Sequence, residues 1–263
     1  MGENLSIDES MHQNDLFTFI SNKDGHGKKG TLIAVIRGTK ASDVIKVLMQ
    51  IPEDKRLAVK EVTMDYSDSM HAIVEAAFPK ADITIDVFHV IKNQCDGLDE
   101  MRMRFKRKAI SELAKEKREF NKKKKRRKQA RASYRKKHPK KHGEKRGRPR
   151  KRANEQFKPK ELSTGDTKVE LFTRARYILP KSGEKWSEKQ KAKANLLFEL
   201  APKLKEAYSL VCELRCIFKN KKLIKDTARE KLKVWYKKVS ESKIKEIIAA
   251  KNTLKAKEND VLN

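Results

Sequence analysis

From Leu57 to His89 the chain reads LAVKEVTMDYSDSMHAIVEAAFPKADITIDVFH, and its apolar positions change period twice. Val59, Val62 and Met64 form a short β-prone run closed by Asp65, and Ile83, Ile85 and Val87 form another around Asp86. Between them Met70, Ile73, Val74, Ala77 and Phe78 recur at spacings of three and four. This predicts a helix capped by Ser67 or Ser69 and stopped at Phe78-Pro79. A strand, helix, strand unit of this length is a right-handed crossover between parallel strands. Asp65 and Asp86 then share the carboxyl edge of one sheet, where open α/β sheets bind their ligands.

Upstream, Leu5-Ser-Ile-Asp8 reads as a strand ending in an acid, Leu16 to Ile20 as a second strand and Thr31 to Ile36 as a third. Ser21 to Gly30 is a Gly-rich link, and the three runs predict an antiparallel meander. A phosphate cradle at Gly25, Gly27 and Gly30 needs a helix start after it; a strand follows, which favours a hairpin turn. Ser42-Asp43 can cap a helix that buries Val44, Ile45, Val47 and Leu48 and ends at Pro52. Three antiparallel strands, a helix, then parallel strand, helix, strand is the order of a ribonuclease H-like fold, an order other α/β folds share.

Beyond Asn93 the period is helical. Leu98, Met101, Phe105, Ile110 and Leu113 are the apolar positions of a basic helix running to about Lys128. Residues 131 to 160 have almost nothing to bury and carry Pro139, Gly143, Gly147, Pro149 and Pro159, so an exposed or disordered basic stretch is expected around 121–160. Helical periodicity returns at Leu171 and continues to Leu254, punctuated by Pro180 and Pro202. The expected organisation is a partial ribonuclease H-like catalytic core over 1–95 and a basic all-α insertion over 96–263.

Charge sharpens this division. Of the 263 residues, 1 to 95 carry 11 Lys/Arg and 14 Asp/Glu, a net of −3, inside a chain whose formal total is +29. The second half is thus strongly basic and suits a polyanion, nucleic acid first, because Lys and Arg release the counterions condensed on phosphate. A membrane surface is the weaker alternative: no apolar run approaches the roughly 20 residues of a spanning helix, and the N-terminus lacks a basic n-region and an apolar h-region. Three cysteines, Cys95, Cys212 and Cys216, suit a reducing compartment. A soluble cytoplasmic protein is the expectation.

One Asp at a strand end is ordinary turn chemistry, but three in this order are not. In a ribonuclease H-like sheet the first strand lies beside the first parallel strand, which brings Asp8 next to Asp65. Adjacent carboxylates repel unless a cation neutralises them, and hard oxygen donors select Mg²⁺ or Mn²⁺. Two such ions roughly 3.5 to 4 Å apart can clamp the attacking and leaving oxygens of phosphoryl transfer. His89, three residues after Asp86, is either a ligand or base or the partner of a structural hydrogen bond.

These residues carry a resemblance. Ile7-Asp8-Glu9, Val62 to Ser67, Phe78-Pro79 and Ile85-Asp86-Val-Phe-His89-Val-Ile-Lys92 resemble the DDE transposases of the ISL-three insertion-sequence family. Asn154 to Asp166, Arg174 to Tyr177, Lys185-Trp186, Leu196 to Leu200, Ala207 to Leu210 and Val234 to Tyr236 resemble that family's helical insertion, so nearly the whole chain is covered. The resemblance implies a ribonuclease H-like core, a two-ion Mg²⁺ or Mn²⁺ site, and metal-dependent strand cleavage and transfer at insertion-sequence ends in bacteria. It makes Asp8 and Asp65 the first two acids of the DDE triad and metal ligands, and Asp86 and His89 a supporting Asp-x2-His. Homo-oligomers are possible for the full-length enzyme.

Two departures lower the expected activity. The family's N-terminal DNA-binding segment is missing, and its glutamate would follow Asn263, so a truncated and inactive fragment is expected; Glu246 and Glu258 are the nearest acids. DNA contacts are expected from Lys122, Lys123, Lys124, Lys125, Arg126 and Arg127, and from Arg146, Arg148 and Arg150, which flank an AT-hook-like Arg-Gly-Arg-Pro or else a solvated basic loop. Trp186 either stacks on a flipped base or packs between helices. Cys212 and Cys216, on one helix face, read as small core residues rather than metal ligands. The rival to a transposase is a basic, non-enzymatic nucleic-acid-binding protein.

Overall fold

The structure is a computed structural model that describes residues 1–139, 155–220 and 223–263. Arg146, Arg148 and Arg150, with the AT-hook-like motif, lie outside the described residues. The first element, β1 (Asn4–His12), pairs antiparallel with β2 (Asp15–Asn22), and β2 with β3 (Leu32–Arg37). β4 (Glu61–Met64) lies parallel to β1, and β5 (Asp82–Ile85) parallel to β4, giving a five-stranded mixed sheet in the order β3-β2-β1-β4-β5. These are the strand directions the apolar pattern predicts.

Local chemistry explains the connections. β1 does not stop at Asp8; it continues to His12 because Gln13 and Asn14, at φ 49° and 70°, make the two-residue turn of a hairpin with β2. Neither is glycine, so the turn carries no strong sequence signal. The Gly-rich link after β2 holds a 3-10 turn, Lys23–Gly25, and further turns before β3, a connection between strands. α1 (Ala41–Leu48) follows, then a short helix the pattern does not announce, α2 (Glu53–Leu57), for which Pro52 is the N-cap rather than only a stop. α3 (Asp68–Ala77) has Ser67 as its cap, the hydroxyl accepting the Met70 N–H.

Two compact units emerge. One comprises Met1–Leu98 with Glu206–Asn263, the other Asp99–Lys205. In the first, Leu5, Ile7, Ile20, Ile36, Val62 and Met64 project from one sheet face onto Val44 and Leu48 of α1 and Met70, Ile73 and Val74 of α3, forming one buried cluster. Strand alternation thus puts every second residue in the core, and burying each such side chain stabilises by about 1.5–3 kcal/mol. The same unit holds most of α7 (Pro202–Lys219), then α8 (Lys225–Ser242), α9 (Lys245–Ala256) and α10 (Glu258–Val261). Trp235, 1% exposed, anchors these helices and donates its indole N–H to the Leu210 carbonyl at 2.8 Å. The open edge of β5 is covered in part by the C-terminal residue, since Asn263 donates to the Ile83 carbonyl at 2.8 Å.

α4 (Val87–Lys137) starts immediately after β5, six residues before the expected helix, because Asp86 caps it, and it remains helical through the basic run as far as Lys137. α5 (Lys168–Arg174) and α6 (Glu188–Leu200) both begin with capping boxes, Thr167 with Glu170 and Ser187 with Gln190. In this second unit Phe105 stacks on Phe172 with ring centroids 5.8 Å apart, and the buried Arg102 donates to both Asp99 oxygens and the Phe172 carbonyl. Asp166, 1% exposed, is paired with Arg174 and Lys193. No described helix is long and apolar enough to cross a membrane.

Candidate active site

Register sets the geometry of the sheet's carboxyl edge. β1 and β4 pair Leu5 with Val62 and Ser6 with Thr63, so two positions further on Asp8 is level with Asp65. β4 and β5 pair Met64 with Ile85, so the next position sets Asp65 beside Asp86, and the Asp86 N–H donates to the Met64 carbonyl at 2.9 Å. The three acids form one row across three adjacent parallel strands, Asp8 within β1 and Asp65 and Asp86 just past the ends of β4 and β5.

Each has one carboxylate oxygen bonded to a nearby backbone N–H. Asp8 Oδ1 accepts the Glu9 N–H at 2.8 Å, Asp65 Oδ1 the Ser67 N–H at 2.7 Å, and Asp86 Oδ1 the Phe88 N–H at 2.8 Å. The last two are the self-bonded turns that Asp favours at element ends. These bonds orient the carboxylates. Asp86 also caps α4, whose first turn carries a half-buried His89 packed edge-on against Phe88 at 5.3 Å.

A fourth carboxylate lies close enough to this row to feel its charge. Glu9 is half-buried, and burial first, then Asp65, then Asp8 raise its pKa above the ordinary 4.5. Strand alternation points Glu9 and Asp8 to opposite sides of β1, so sequence reasoning gives Glu9 no role. Only the approach of Asp65 at the strand end supplies the signal. Next to Asp65, Tyr66 has its phenol pushed well above its usual range by burial.

The donor set fits a hard divalent ion: carboxylate oxygens, of which those of Asp65 and Asp8 lie close enough to Glu9 to add to the rise that burial gives its pKa, with no cation engaging Asp8 or Asp65 in the hydrogen bonds above. Among the described residues no three His, Cys, Asp or Glu side chains are gathered closely enough to enclose an ion. Mg²⁺ does not require such a cage, since it takes one or two carboxylates and keeps waters or substrate phosphates. Of the two glutamates nearest the C-terminus, Glu258 accepts from Arg229 at 3.2 Å and lies beside Tyr236, and Glu246 lies in the first turn of α9.

Lys122 to Arg127 are all exposed on α4. Two are tethered: Lys124 donates to the Glu155 carbonyl at 2.8 Å, and Arg127 pairs with the Glu155 carboxylate at 3.1 Å. Trp186 donates its indole N–H to the Ile178 carbonyl at 2.9 Å and packs against Phe198, which supports the packing role of its two readings.

A sequence model of the family DDE_Tnp_ISL3, described as transposase, matches residues 5–263. No curated protein and no solved structure matches the chain.

Proposed function

The chain belongs to the DDE_Tnp_ISL3 family of transposases, and on that premise we propose that it carries the catalytic carboxylates of a DDE-type enzyme acting on the DNA ends of an insertion sequence. The observation that carries this reading is the row of Asp8, Asp65 and Asp86 across three parallel strands. The strand order β3-β2-β1-β4-β5 supports a ribonuclease H-like core.

In this reading Asp8 and Asp65 hold divalent metal, Mg²⁺ or Mn²⁺, and Glu9 adds negative charge to the same place. The ions, when bound, stabilise charge on the attacking and leaving oxygens of a phosphodiester. The backbone N–H groups of Glu9 and Ser67 hold the Asp8 and Asp65 carboxylates in position, which matters because misplacement by about an ångström can cost about a hundredfold in rate. Asp86 and His89 support the row from the first turn of α4. Lys122 to Arg127 contribute sequence-independent attraction to the DNA backbone.

The test is Mg²⁺- or Mn²⁺-dependent nicking of a duplex bearing an insertion-sequence end, with Asp65→Ala beside the wild type. Ion-dependent nicking lost in the variant supports the reading, and nicking indifferent to Asp65→Ala overturns it. Where the wild type binds the duplex without nicking, ferrous-ion cleavage of the protein backbone at Asp8 and Asp65 is the readout, and cleavage elsewhere refutes the site.

A further inference from the structure

The chain has three cysteines, and the fold brings all of them into the unit formed by Met1–Leu98 and Glu206–Asn263. Cys95 lies on α4. Arg215, from α7, directs its Nη2 to within 2.9 Å of the Cys95 sulfur. Cys212 precedes Arg215 by three residues, which places both on the same side of α7, and Cys212 is near enough to Cys95 for a charge on one to be felt by the other. Four residues on, Cys216 shares with Cys212 an apolar groove of about 560 Å³, lined also by Tyr208, Val234 and Trp235. All three are free thiols, Cys95 and Cys212 half-buried and Cys216 exposed.

We propose that Cys95 and Cys212 are a site of reversible oxidation, converted by hydrogen peroxide into a disulfide that ties α4 to α7. Cys212, reached through the groove, reacts first. Its thiolate sulfur attacks the peroxide, the O–O bond breaks, Cys212 becomes a sulfenic acid, and the departing oxygen leaves as water after protonation. The Cys95 thiolate then attacks the Cys212 sulfur, the S–O bond breaks, a second water leaves and the S–S bond forms. Two thiols and one hydrogen peroxide thus give one disulfide and two waters.

Arg215 has a defined part in the second step. Burial pushes the Cys95 thiol up, so it rests protonated, while the guanidinium against its sulfur acts in the opposite direction and stabilises the thiolate as it forms. Cys216, exposed and outside the Cys95–Arg215 contact, takes no part.

Trypsin separates the three sites, because cleavage after Arg215 divides Cys212 from Cys216. The full chain is reduced, desalted, exposed to hydrogen peroxide, blocked with maleimide, digested without reductant and mapped by mass spectrometry. The expected product links the peptide of residues 93–102 to that of 206–215, disappears on adding dithiothreitol, and forms equally well in Cys216→Ser. In Cys95→Ser the link is absent and a sulfenic acid trappable by dimedone remains on Cys212. Any of three results on the wild-type chain overturns the proposal, whatever the variants do: a dominant Cys212–Cys216 link, intermolecular dimers through Cys216, or three thiols that still react fully with maleimide after peroxide.

Discussion

Asp65→Asn separates the two roles that the structure gives Asp65. An asparagine keeps an Oδ1 that can accept the Ser67 N–H, a bond of 2.7 Å in the wild type, so the turn into α3 is retained. The charge is lost, and with it one of the two carboxylates that raise the pKa of Glu9. The metal-free variant should therefore melt at or slightly above the wild-type temperature. Its response to Mn²⁺ should differ sharply. An ion at about ten times its dissociation constant stabilises the folded state by about 1.4 kcal/mol. At about 2–4 °C per kcal/mol for a chain of this size, the wild type should gain about 3–6 °C and the variant almost nothing. The pH dependence has a definite sign. Glu9 titrates above its ordinary 4.5 in the folded chain, so the native state holds this proton more tightly than the unfolded state does. Its contribution is complete below 4.5 and is lost as pH rises through the raised value. A bound cation offsets the repulsion, so the Mn²⁺-induced shift should grow across the same window. Differential scanning fluorimetry at several pH values, with and without Mn²⁺, reads all of this. A full Mn²⁺ shift in Asp65→Asn would exclude Asp65 from the ion site.

Other perturbations test neighbouring steps. Asp86→Ala removes the cap on the Phe88 N–H and should cost about 0.5–2 kcal/mol in urea denaturation, whereas Asp86→Asn, an equally good cap, should cost little; equal losses would show that charge, not capping, is what matters there. Replacing Lys122, Lys123, Lys125 and Arg126 with Gln leaves the two residues tethered to Glu155 untouched. If each of the four meets a phosphate, the slope of log affinity against log salt should flatten by about 3–4, and an unchanged slope removes them from the interface. Trp235→Phe leaves the Leu210 carbonyl buried without its indole donor and should lower stability by about 1–3 kcal/mol, with a loss under 0.5 kcal/mol contradicting the anchoring role.

What sequence alone determined was local. The period of two in Val62 and Met64, the period of three and four in α3 and the Ser67 cap are properties of neighbouring residues, and β4, α3 and β5 form within a few positions of where that pattern puts them. The acids closing β4 and β5 were legible for the same reason, because Asp bonds its own backbone at element ends wherever they lie. Other features depended on distant partners. β1 passes Asp8 because a partner strand and an unmarked turn extend it. Glu9 joins the acidic row only through Asp65, and Cys95 meets Arg215, 120 positions away, only when α7 returns beside α4. Periodicity records which face of an element is apolar, but not which residue from far along the chain will stand opposite it. That choice was made by tertiary packing, which pairs faces by shape and burial across sequence distances that no local pattern spans.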